Sequence, residues 1–176
     1  MQPFEVKLDY RGRPWCTVKL ELGHNEIGDA DEPEYHLAPD LAELFSEVGL
    51  EAPKPVRMMR KEHQIAQKIH AVTEAGSERA RDLVDLQLLD RAEGLDLSQV
   101  AATCVRLFEY RQQQTWPPSV VAGERWDTLY TTAADGLDVV QSIDDAIVWA
   151  NGFVGRVVSG WVVRVLASSR CGTRSA

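Results

Sequence analysis

Cysteine is scarce in this chain and odd in number: Cys16, Cys104 and Cys171. Three widely spaced thiols offer neither a disulfide framework nor zinc-ligand spacing, which is the pattern of a reduced protein with no disulfide partner. Basic charge is also short, with 19 Lys and Arg against 27 Asp and Glu and a formal net charge of −8. That balance argues against a surface coated for sequence-blind nucleic-acid binding, yet it leaves room for a local basic cleft. Long apolar runs are missing too. The most apolar region, Ala146 to Ala167, is interrupted by Asn151, Arg156 and Arg164, so no membrane span is expected. The opening Met1-Gln-Pro-Phe-Glu-Val6 has neither a basic start nor an apolar centre, so no signal peptide and a cytoplasmic location are expected. There is no internal repeat, no low-complexity tract, no Gly-rich phosphate loop and no Ser or Cys in a nucleophile-elbow pattern.

What is present suffices for a folded domain. The 176 residues are 44% hydrophobic and 26% charged, and a chain of that length can bury a sizeable core. Phe4, Val6, Leu8 and Tyr10 alternate with Glu5, Lys7 and Asp9, and after Arg11-Gly-Arg-Pro14 a second alternation follows in Val18, Leu20 and Leu22. This predicts a β-hairpin over 4–22 with one apolar face for a core. An opening strand pair is also a sheet edge that could receive further strands. Residues 23–36 read as a turn-rich acidic loop. From Pro39 the period is helical: 40–48 stopping at Gly49, 60–74, a helix capped by Ser77, one opened by Asp96 and ended before Trp116-Pro-Pro118, 124–134, and one opened by the capping-box-like Ser142-Ile-Asp-Asp145. The fold class expected is α+β, a small sheet followed by helices. Three segments are expected: a sheet remnant with the first helix over 1–50, a helical domain over 51–159, and an irregular tail over 160–176.

Three features could carry chemistry. Glu21 sits on the polar face of the second strand, a rigid position from which a carboxylate could hold Mg²⁺, although such positions usually just face solvent. The segment Lys54 to His70 holds Lys54, Arg57, Arg60, Lys61 and Lys68 against Glu62 alone, a local balance of 5 − 1 = +4. Lys61 and Lys68 fall on nearly one helical face, which could meet a triphosphate or a nucleic-acid backbone, or simply be solvated. Arg81-Asp82-x-x-Asp85 places two acids on one helix face. On spacing alone it reads first as surface charge, with a structural ion pair or half of a metal or acid/base site as alternatives. His24, His36, His63 and His70 have no metal-ligand spacing.

Taken together, Gln64-Ile-Ala-Gln-Lys-Ile-His-Ala71 followed by Arg79-Ala-Arg-Asp-Leu-Val-Asp-Leu86 resembles the AbiEii/AbiGii nucleotidyltransferase toxin family. Its members have a lysine in a helix pattern like (E/Q)-K-x-x-A, then a motif R-D-x-x-D-L after a short link. The resemblance covers about residues 4 to 158 and rests on two motifs in the right order at the right separation. It implies that Lys68, with Lys61 and Arg81, would bind the nucleotide. Asp82 or Asp85 would act as general base or orienting acid, and Glu21 would serve as a strand carboxylate for the metal. The chemistry implied is transfer of NMP from Mg²⁺-bound NTP to an RNA acceptor such as tRNA, and a cognate antitoxin protein is the implied partner. The sequence departs from the family in its front motif, Gly-Ser followed by Asp-x-Asp on a strand. Asp29-Ala-Asp31 lies in the acidic loop behind the hairpin, and Gly76-Ser77 comes too late. The expectation is therefore a truncated member, inactive alone. The alternative is a non-catalytic helical binding module for a protein or RNA.

Overall fold

A computed structural model describes the backbone of residues 2–171 and the side chains of residues 2–161. Strands β1 (Gln2–Tyr10) and β2 (Arg13–Leu22) form an antiparallel hairpin, β3 (Glu34–His36) and β4 (Val56–Met58) form a second antiparallel pair, and the helices are α1 (Pro39–Glu47), α2 (Lys61–Thr73), α3 (Arg81–Asp90), α4 (Leu97–Arg111), α5 (Trp126–Ala134) and α6 (Ile143–Cys171). The class is α+β, as the periodicities indicate. No described helix is long and apolar enough to cross a membrane.

The hairpin turns through Arg11 and Gly12, both at positive φ (51° and 74°). Such a two-residue turn matches the twist of its flanking strands and favours glycine at its second position. The register pairs Phe4 with Leu20, Val6 with Val18 and Leu8 with Cys16 on one face, and Glu5 with Lys19 on the other. The apolar face expected to line a core is nevertheless open to solvent, with Phe4, Val6, Leu8, Val18, Leu20 and Leu22 all exposed. Alternation defines which side chains share a face and says nothing of what covers that face.

The core lies elsewhere, and every buried hydrophobic side chain among the described residues falls between Ile65 and Val157. Helix α4 packs between α2 and α6, while α3 and α5 close the remaining sides. Ile65, Ile69 and Val72 of α2 meet Leu83 and Leu86 of α3, with Val100, Cys104 and Leu107 of α4 and Phe153 and Val157 of α6 in the same cluster. These are the i, i+3, i+4 positions that an amphipathic helix buries.

Helix starts follow the expected chemistry with two changes. The Asp96 carboxylate accepts from the Ser98 and Gln99 backbone N–H groups and so caps α4. Ser142 Oγ accepts from Asp145 N at 3.1 Å and donates to the Asp145 carboxylate at 2.7 Å, so Asp145 closes the box through the hydroxyl. Ser77, expected to cap α3, instead accepts from Arg79 N and donates to the Ala71 carbonyl, and α3 begins later, at Arg81. The β3–β4 pair lies partly within the segment expected to be loop. The irregular tail expected from residue 160 is helical in its backbone as far as Cys171; residues 172–176 lie outside the described part.

Burial separates the two described thiols. Cys104 is fully buried in the core, and loss of solvation pushes its pKa far above the usual thiol value, whereas Cys16 is exposed. A maleimide added to native protein is expected to label Cys16 and spare Cys104 until denaturant is added, as peptide mapping by mass spectrometry would show. Labelling of Cys104 without denaturant would contradict this core.

Candidate nucleotide cleft

Helices α2 and α3 are joined by a short turn, and this brings the two sequence motifs into direct contact. Lys68 Nζ donates to Asp82 Oδ1 at 3.0 Å and to Asp85 Oδ2 at 2.6 Å. Arg79 Nε donates to the other oxygen of Asp82 at 2.8 Å. Asp82 is only 4% exposed. It is therefore a buried carboxylate held between two cations, and for Asp82 the surface-charge reading gives way to the structural ion pair. The i, i+3 spacing put both acids on one face; the fold turns that face onto α2.

Lys68 and Arg79 reach from this ion-pair cluster into a cleft of about 810 Å³. Its walls include Glu21 at the end of the hairpin, Glu26 and Asp29 of the acidic loop, and Arg111 at the end of α4. The acidic loop is fastened from several sides. Gln67 Nε2 donates to Asp29 Oδ2 at 2.8 Å, Arg57 to the Ala30 carbonyl at 2.6 Å, and Arg106 to the Ile27 carbonyl. Arg111 donates from Nε and Nη2 to Glu26 Oε2, at 2.9 and 2.7 Å. Hydrogen bonds between ionised partners are the stronger kind, so this loop is a firm wall.

The basic segment is thus used differently from the even phosphate-binding face that its +4 balance suggests. Arg57 and Arg60 bind the acidic loop, Arg60 through Glu32 at 3.1 Å. Lys61 donates to the Glu93 carbonyl at 3.0 Å and is not part of the cleft wall. Seven helical residues place Lys61 about 10 Å along the axis from Lys68, so a shared face does not mean a shared site. Arg81 is exposed and also outside the cleft; Arg79 stands there instead.

Lys68 and Glu21, both singled out from sequence, therefore border one cleft. Arg79 and Asp29, both named in motifs of the sequence, border it as well, and so do Arg111 and Glu26, which had not been singled out. Arg79 was within reach because it belongs to the quoted motif. Arg111 carries no sequence signal beyond being a cation in a last helical turn. Among the described residues no group of three or more His, Cys, Asp or Glu could hold a metal ion. Two of the cleft carboxylates, Glu26 and Asp29, are instead directed at Arg111 and Gln67, which leaves Glu21 and Glu74 as a donor set too sparse for a catalytic Mg²⁺ held by protein carboxylates alone.

Two histidines on α2 are desolvated. Burial first, then the Arg111 charge, lowers the pKa of His70, with Glu74 and Glu26 opposing. Burial also lowers that of His63, with Asp29 and Glu62 opposing and Arg106 and Arg60 adding to it. His63 belongs to a second, smaller hollow of about 290 Å³, lined also by Arg60, Glu62 and Arg106.

No curated protein matches the chain. The model of a family described as nucleotidyl transferase AbiEii toxin, type IV TA system, matches residues 2–148.

Proposed function

The chain belongs to the AbiEii nucleotidyl transferase toxin family of type IV toxin–antitoxin systems, and from that premise we propose that its cleft holds the phosphates of an NTP, with Lys68 as the main contact. The supporting observation is that the family-like lysine, pinned by Asp82 and Asp85, borders a cleft of about 810 Å³ that also holds Arg79 and Glu21. In this reading the acids keep the ammonium aimed, while Nζ retains one further N–H for a phosphate oxygen. The transfer served is that of NMP to an RNA acceptor, tRNA being the first to test, in the cytoplasm and under control of a cognate antitoxin. A role for Asp82 or Asp85 as general base requires the Lys68 contact to open, since both carboxylates are engaged as the cleft stands.

Mg²⁺ belongs to this chemistry, and among the described residues no group of three or more His, Cys, Asp or Glu could hold it. The chain by itself is therefore expected to bind NTP without transferring it. Isothermal titration with each of the four NTPs, alongside incorporation of labelled NTP into total RNA with Mg²⁺ present, tests both halves. Binding without incorporation is the expected result. Failure to bind any NTP would remove the nucleotide reading. Incorporation that disappears in Asp82→Ala would instead make the chain a complete transferase.

A further inference from the structure

We infer that Arg111 supplies a second phosphate contact of the cleft, beside that of Lys68, and that buried His70 holds Arg111 in place for it. This rests on the nucleotide reading above and extends it to residues outside both motifs. A guanidinium has five N–H donors and no acceptor. Arg111 spends one from Nε and one from Nη2 on Glu26, and one from Nη1 on His70 Nδ1 at 3.2 Å. One N–H on each Nη is left without a protein acceptor among the described residues, and the side chain stays 24% exposed on the cleft wall. Two N–H groups on one fixed plane suit oxygens of a phosphate, a match that an ammonium lacks.

His70 explains why the plane is fixed. Arginine can only donate, so Nδ1 must be the acceptor and the ring proton must sit on Nε2. Gln114 Nε2 also reaches Nδ1 at 3.4 Å and bonds the His70 carbonyl at 2.8 Å. Nε2 is buried without a partner, the ring packing edge-on to Phe108 with centroids 4.9 Å apart. A purely space-filling residue here would be aliphatic and would bury no unsatisfied N–H. The polar atom that does something is Nδ1, and what it does is hold Arg111.

The arrangement requires a neutral ring. Around His70 stand Arg111 from α4, Glu26 from the acidic loop, Glu74 just past the end of α2, and the uncharged Gln114 and Phe108. Burial and Arg111 outweigh the two glutamates, so the ring loses its proton below the ordinary 6.5. Protonation would convert Nδ1 into a donor facing a guanidinium and release Arg111.

Titration of the full-length chain with inorganic tripolyphosphate provides the test. Arg111→Gln is expected to weaken binding about tenfold, as for loss of a charged hydrogen-bond donor pair, and His70→Leu by several-fold. His70→Asn, whose Oδ1 can accept near the place of Nδ1, is expected to restore most of the affinity. Native affinity should fall as pH drops through the depressed His70 pKa, on top of the change that protonation of the phosphates contributes. The His70→Asn variant should lack that fall. Native-like binding by Arg111→Gln, with Lys68→Ala impaired, would overturn this inference and leave the nucleotide reading standing. No binding by the native chain would overturn both. Should His70→Leu not fold, matching pH profiles for the native chain and His70→Asn would equally overturn the role of His70.

Discussion

Lys68→Ala is expected to remove measurable NTP binding and to destabilise the fold in the same step. Both effects have one cause. Asp82, 6% exposed in its side chain, loses the cation on Oδ1 and is left with Arg79 on Oδ2, which is itself 62% exposed. Stripping one partner from a buried ion pair costs roughly 3–5 kcal/mol. Lys68 is 22% and Asp85 33% exposed, so water screens part of that, and about 1–3 kcal/mol is the reasonable expectation. Asp82→Asn in the Lys68→Ala background removes the stranded charge and should recover part of the loss, seen as a shift of the urea midpoint at constant slope. Binding should not recover, because the cleft has still lost its phosphate contact. A double variant that regains both would mean that Lys68 serves the fold and leaves nucleotide to other groups. Lys68→Ala that binds NTP like the native chain would end the proposal outright.

The two halves of that cluster were legible at different depths. The order and spacing of the motifs identified Lys68, Asp82 and Asp85, and helical periodicity put both acids on one face. That the face turns onto α2 depends on the Ser77–Ala80 turn, where Ser77 binds back to Ala71 and the chain reverses. A residue that looks like an N-cap was in fact a tie between helices. Longer-range pairings carried no local mark at all. Arg111 meets Glu26 across 85 residues and His70 across 41, and each alone has an ordinary reading as a surface cation, a loop acid or a core ring. The same limit explains Lys61, which shares a face with Lys68 but ends at the Glu93 carbonyl. It also explains the hairpin: its alternation defined two faces correctly, yet the exposure of the apolar one depends on what packs against it, and among the described residues nothing does.

Trp126→Ala is expected to be the most destabilising single change in the helical core, and its effect should extend to the cleft. Trp126 is 2% exposed and belongs to the largest fully buried side chains. Truncating such a ring costs about 3–5 kcal/mol in lost burial and cavity. The indole also donates from Nε1 to the Ser77 carbonyl at 2.6 Å, and the turn it anchors is the one carrying Arg79, whose backbone N–H bonds Ser77 Oγ. Loosening the turn should therefore weaken NTP binding even below the melting temperature, through Arg79. Trp126→Phe keeps most of the ring and loses only the donor, so it separates the two contributions. Gly123→Ala approaches the same point from the other side. A Cβ at Gly123 would lie 2.4 Å from Trp126 Nε1 and 2.8 Å from the Ser77 carbonyl oxygen. The second neighbour is backbone and cannot swing aside, so about 1–3 kcal/mol of strain is expected. Thermal unfolding followed by circular dichroism should show a fall of several degrees per variant, about 2–4 °C for each kcal/mol at this size. Gly123→Ala that melts with the native chain would show that the indole and the Ser77 turn are not in this contact, and the placement of Arg79 in the cleft would fall with it.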